Sequence, residues 1–228
     1  MAKKTNKKTT KKVTKVRSHT MNVPVSKKNP TGKTIRDEQL RHFSGNYLNR
    51  EDIEQSFKDY NQKDIPYPTS GKILDHRTAD DYDELIAVWT DYFNKILRVN
   101  PPLDPDVFKA LIASESGFRI HAPENKTAFG IAQITQQTWT ILQDPDGESR
   151  EFIFNKIRLK DLKDPNIAIP MGIRWLNYKS QRAAAKLGRQ PNHEEIILEY
   201  KGLLKSNSLY KTKALENYKR YYAKLKGK

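Results

Sequence analysis

Between Thr78 and Ile96 the apolar positions return at helical spacing. Leu85, Trp89, Tyr92 with Phe93, and Ile96 fall at i, i+4, i+7/i+8 and i+11, one face of a helix. The next segment, "LDPDVFKALIAS", opens with Asp104 at a suitable N-cap and Pro105 at a suitable first helical position. Val107, Leu111 and Ser114 with Glu115 share a face of that helix, which is expected to stop at Gly117. "ITQQTW" predicts a further helix start at Thr135. A second Asp-Pro start, Asp164-Pro165, opens a long helix that should close at Gly188, with Pro170 expected to bend or delay it. Asn192, followed three residues on by Glu195, predicts a capping box at the head of "NHEEIILEY". A final amphipathic helix is expected over about 209–226. Only 145–160 has room for a short strand pair, and no repeat is visible. The expected class is mainly α, with a small irregular or β insert.

Upstream of Thr78 the pattern fades. Residues 37–77 are polar, with scattered aromatics and a "PYPTSG" break at 66–71, and predict an irregular extension with at most one short helix. Residues 1–36 contain almost nothing to bury and are expected to form a disordered arm. The resulting division is an arm over 1–36, a polar extension over 37–77 and a folded domain over 78–228.

Charge sharpens this division. The chain of 228 residues carries a formal net charge of +15, distributed very unevenly. Residues 1–36 hold ten Lys, two Arg and no acid, whereas residues 201–228 hold nine basic residues against Glu216. The stretch between, 37–200, is net acidic, so the body is not expected to grip a nucleic acid. No aromatic interleaves the lysines of the arm, which argues against stacking on single strands. An acidic partner or an anionic surface is a better match to the arm. With no cysteine there is no disulfide framework or thiolate metal site, and the five histidines are too dispersed to suggest a metal. No cofactor motif is present. No apolar run follows the basic N-terminus as in a signal peptide, and no stretch approaches the roughly 20 apolar residues of a membrane span.

One carboxylate stands out. In "ALIASESGFR", residues 110–119, Glu115 lies at the end of an apolar helix, where unpaired carbonyls carry a partial negative charge. A partly apolar site at that end would favour the protonated acid, as a general acid requires. The alternative is an exposed acid that turns into solvent.

Glu115 has company in the sequence. "ALIASESGFR", "TAFGIAQITQQTW", "LKDPNIAIPMGIRWLNY" and "LEYKG", in that order over about 103–205, resemble the soluble lytic transglycosylase family, lysozyme-like enzymes that cut peptidoglycan. The resemblance implies a lysozyme-like α+β fold in which helix dominates. It implies Glu115 as the catalytic acid/base and Ser116 as a substrate contact, although Ser116 also reads as a capping hydroxyl. Gly130-Ile131-Ala132-Gln133 matches the family's Gly-Leu-Met-Gln turn, with Gln133 bonding substrate and Gly130 allowing close approach of the backbone. Tyr200 matches the tyrosine near the acid, or alternatively is a core tyrosine. The chain departs from the family at Ala132, usually Met, at Glu199, often Ala, and at Lys201, usually Asn, which changes the expected substrate contacts.

The mechanism implied by the resemblance needs one carboxylate. Glu115 protonates the oxygen linking N-acetylmuramic acid to N-acetylglucosamine, the acetamido group of the substrate stabilises the cationic centre, and Glu115 then takes the proton of the C6 hydroxyl as it closes onto C1. A goose-type-lysozyme-like hydrolase would instead want a second carboxylate, roughly 6.5–9.5 Å away for inversion. Asp144, Asp146, Glu148 and Glu151 are candidates, in a stretch that also reads as an ordinary turn, and Glu199 is a further one, expected to point away from the site if Tyr200 faces it. A third reading is a structural tail or spike component that keeps the fold, because a lysine beside Glu115 would hold the acid charged. The substrate lies outside the cell membrane, so the expected delivery is by a phage tail, a contractile injection system or a secretion machine, or as a phage lysin released through a holin, with the arm over 1–36 docking on such a machine or on anionic wall polymers. The expected place of action is the cell wall or periplasm, as part of a particle or as a secreted enzyme.

Overall fold

The computed structural model describes residues 47–121, 127–144, 153–206 and 209–228. Seven α-helices dominate the described residues: α1 (Arg50–Asp59), α2 (Asp83–Ile96), α3 (Pro105–Glu115), α4 (Gln136–Gln143), α5 (Pro165–Leu187), α6 (His193–Tyr200) and α7 (Leu209–Leu225). Their starts follow local chemistry. The Asp104 carboxylate accepts the Asp106 N–H with Pro105 in the first turn of α3, and Asp164 repeats the device before α5. Thr135 caps α4 through the Thr138 N–H. Asn192 and Glu195 close a reciprocal capping box at the start of α6. Helix α5 ends at Gly188 in the left-handed conformation and runs uninterrupted through the buried Pro170, so the delayed start does not occur.

Two small sheets complete the fold. β2 (Ala128–Phe129) pairs antiparallel with β3 (Ile134–Thr135), in register Ala128 to Thr135 and Phe129 to Ile134. β1 (Tyr47–Leu48) pairs parallel with β4 (Ile153–Phe154). The expected strand at 145–160 therefore exists, but its partner comes from the start of the described chain rather than from the same segment.

From Tyr47 onward, the segment expected as a polar linker or extension also packs against the helices. Leu48, Ile53, Tyr60 and Leu74 are buried in the same core as α2, α3 and α5. The segment contributes few apolar side chains, and although Tyr67 and Ile73 are exposed, these four are buried, so composition alone concealed its role. The arm over 1–36 lies outside the described residues.

Helix α3 is enclosed from Pro105 to Ala113, with α2 on one side and α7 on another. Its one long polar side chain in that span, Lys109, is fully buried. The Lys109 ammonium donates to the Thr69 carbonyl at 2.8 Å, to Asp80 Oδ1 at 2.9 Å and to Asp83 Oδ1 at 2.6 Å. Asp106 accepts the Thr69 N–H and hydroxyl, and Lys226 reaches Asp104 and Asp106 at 2.7 and 2.6 Å. The helix is thereby tied along its length to the 69–83 segment and to the end of the chain. Buried charges survive only when paired and hydrogen-bonded in this way.

Candidate active site

Helix α3 ends where the local backbone forces it to. The Ser116 and Gly117 N–H groups both fold back onto the Ile112 carbonyl, at 3.0 and 3.2 Å. Gly117 and Phe118 then adopt left-handed conformations, with φ of +58° and +61°. Such a φ costs a bulky residue energy, and packing must supply it. Phe118 is buried, lies parallel to the Tyr82 ring at a centroid distance of 6.3 Å, and meets the His76 ring at 5.5 Å. His76 also contacts the Tyr221 ring of α7. Glu115 is thus the last helical residue before a turn clamped from two sides.

The turn between β2 and β3 forms a second wall. Gly130 has φ +67°, and a Cβ there would stand 1.8 Å from the Leu162 carbonyl oxygen, so the close approach it permits is to the protein's own backbone. Ile131 and Ala132 point into the core, Ala132 against Gly172 of α5. Gln133 takes φ +48°, and its side-chain amide donates to the Gly130 carbonyl at 2.8 Å.

The third wall is the end of α6. The Tyr200 hydroxyl donates to the Ala132 carbonyl at 3.0 Å, bridging α6 to the turn. Burial, and then the nearby Glu115 charge, push the Tyr200 phenol well above its ordinary value, so it remains a donor. Lys201 caps the same helix, and its ammonium forms an ion pair with Glu115 Oε1. The two side chains are 18% and 21% exposed, sheltered yet reachable from solvent. Neighbouring Glu199 faces the other way, fully buried, with both carboxylate oxygens on Lys186 Nζ at 2.7 and 2.8 Å.

Of the residues singled out in the sequence, Glu115, Tyr200 and Lys201 converge, with the Gly130–Gln133 turn joined to them through Ala132. Ser116 is buried and its hydroxyl donates to the Ile112 carbonyl at 3.3 Å, the capping alternative. Asp144 lies at the end of α4, while Asp146, Glu148 and Glu151 fall outside the described residues. Two supporting residues went unnoticed. Lys109 was detectable as a lone cation within the apolar run "VFKALIA". The His76 contact with Tyr221 spans 145 positions and leaves no local trace. Among the described residues no cluster of three or more His, Asp or Glu could hold a metal ion, and no helix is long and apolar enough to cross a membrane.

No curated protein matches the chain. Residues 93–209 match the transglycosylase SLT domain, a span that contains Glu115, the Gly130–Gln133 turn, Tyr200 and Lys201, and the chain belongs to that family of lysozyme-like, peptidoglycan-acting lytic transglycosylases.

Proposed function

We propose that the protein cleaves peptidoglycan strands between N-acetylmuramic acid and N-acetylglucosamine and leaves a 1,6-anhydro end, with Glu115 as its single acid/base. The supporting observation is the convergence of Glu115, Tyr200 and the 130–133 turn inside the matched segment, with the acid partly open to solvent. Glu115 gives its proton to the glycosidic oxygen as the C1–O bond breaks. The substrate's acetamido oxygen shields the cationic carbon. The carboxylate so formed removes the proton of the C6 hydroxyl, whose oxygen bonds to C1. The proton returns to Glu115, and no water is consumed. Mass spectrometry of purified peptidoglycan digests tests this: anhydro-muropeptides are expected from the wild type and none from Glu115→Gln. Reducing-end products would instead favour the hydrolase and a second carboxylate.

The Lys201 ion pair gives one observation in favour of a second reading, a tail or spike component with little activity. A folded wild type that releases nothing from host-matched peptidoglycan would establish that reading. The twelve positive charges of residues 1–36 support docking on a phage tail, a contractile injection particle or a secretion machine. Deleting 1–36 is expected to leave cleavage of purified peptidoglycan intact and to abolish co-purification with the particle. Retained co-purification would exclude the arm as the dock.

A further inference from the structure

Lys201 poses a chemical problem for the site. An ammonium bound to Glu115 Oε1 favours the charged carboxylate over the protonated acid that must give a proton to the glycosidic bond. The lysine backbone is fixed, since its N–H donates to the Ile197 carbonyl at 3.0 Å and its φ and ψ are helical. Its side chain is held by Glu115 alone among the described residues. Lys201 is paired with Glu115, and the neighbouring Tyr200 phenol feels the Glu115 charge while its hydroxyl is committed to Ala132. Among the described residues, no other acceptor is paired with the ammonium. Separating a part-buried ion pair is costly, and a replacement counter-ion lowers that cost.

The substrate class that acts on this site contains such a replacement. Muramic acid carries a lactyl group at O3, on the same ring as the C1–O bond to be cut. Joined to a stem peptide, the lactyl carbonyl is a neutral amide; without the peptide, it is a carboxylate. We infer that Lys201 is a specificity-determining residue that favours muramic acid units with a free carboxylate beside the scissile bond, which draws the ammonium off Glu115. The inference rests on the reading of Glu115 as the acid. It places the protein after a reaction that hydrolyses the amide between glycan and stem peptide.

Binding can be measured without cleavage. The disaccharide N-acetylglucosaminyl-N-acetylmuramic acid lacks the scissile linkage and can be prepared with a free lactyl carboxylate or as its methyl amide. Calorimetry of the full chain is expected to show about tenfold tighter binding of the carboxylate form, the size of one charge-assisted contact. Lys201→Arg should keep the preference and Lys201→Met should lose it, each with a thermal midpoint close to wild type. Equal affinities for the two forms in the wild type would overturn the inference, as would a preference that survives in Lys201→Met. A third probe, the disaccharide bearing an L-Ala-D-Glu stem, separates the sources of charge. If only this form binds about tenfold tighter than the methyl amide, the carboxylate sensed is that of the peptide, and the lactyl assignment fails. Digestion of intact and peptide-stripped strands then separates this inference from the proposed activity. Anhydro products formed equally from both overturn the selectivity alone. A binding preference without anhydro products overturns the activity alone.

Discussion

At the scale of single residues, the site depends on two groups that do no chemistry. Gly130 is one: any side chain there meets the Leu162 carbonyl, and the backbone already has φ +67°. Gly130→Ala is expected to lower the unfolding free energy by about 3 kcal/mol in urea titrations, from strain and displaced backbone together. The Tyr200 hydroxyl is the other, as the tie between α6 and the turn. Tyr200→Phe leaves the Ala132 carbonyl without this donor and should cost about 1 kcal/mol of stability. The same variant should reduce kcat for strand cleavage about tenfold, because the turn loses its register against Glu115. A kcat equal to wild type would make Tyr200 an ordinary core residue.

At the scale of elements, helix α3, which carries Glu115, is anchored by a buried charge cluster. Lys109 faces two carboxylates with one positive charge, and their environments divide the roles. Burial opposes ionisation of Asp80, but the Gly71 N–H, the Lys109 ammonium and the Ser70 hydroxyl outweigh it and hold its carboxyl at about 2. Burial dominates at Asp83 and raises it to about 6, despite the Lys109 contact. The sign for Asp83 follows from its raised folded value. Its stabilising contribution is complete below the unfolded value of 3.8 and is lost as pH rises through about 6. Asp83→Asn should therefore remove about 2 kcal/mol of pH dependence between about pH 4 and 7, measured as the difference between wild-type and variant denaturation curves. Lys109→Met strands both carboxylates and should destabilise the protein by about 3 kcal/mol.

At the scale of the whole molecule, α7 covers α3 and is held by a histidine on each flank. His76 Nε2 lies 3.3 Å from the Tyr221 hydroxyl, and His193 Nδ1 lies 3.0 Å from that of Tyr218, its ring also packed on Tyr222 at 4.2 Å. Burial lowers both imidazoles below their ordinary value of 6.5. Around His76, Asp75 opposes that shift while Arg119, Lys224 and Arg220 add to it. Around His193, Glu194 and Asp104 oppose it while Lys219 and Lys226 add to it. A depressed folded value means that the stability they contribute is present above 6.5 and is lost as pH falls through the folded values. Amide protection of α7, corrected for intrinsic exchange, should fall as pH drops below 6.5, and His76→Phe with His193→Phe should flatten that fall. This trend is opposite in sign to that of Asp83, so the two can be separated by variant.

What the sequence determined by itself was local. Asp104-Pro105, Thr135, Asp164-Pro165, Gly188 and Asn192 with Glu195 set helix ends because each cap is satisfied within a few residues of its own backbone. The helical class and the candidate acid followed from the same short-range periodicity and motifs. Tertiary structure decided everything that depends on which faces meet. The hairpin at 128–135 needs Gly130 against a carbonyl 32 positions away, and β1 needs a partner more than a hundred positions downstream. Lys201 reaches Glu115 across 86 positions and Tyr200 reaches Ala132 across 68. No local rule of propensity or charge spacing specifies such pairs, because they are set by the packing of α3, α6 and the turn around a shared core. Glu115 and Lys201 could each be singled out in the sequence, but their pairing became visible only in the fold.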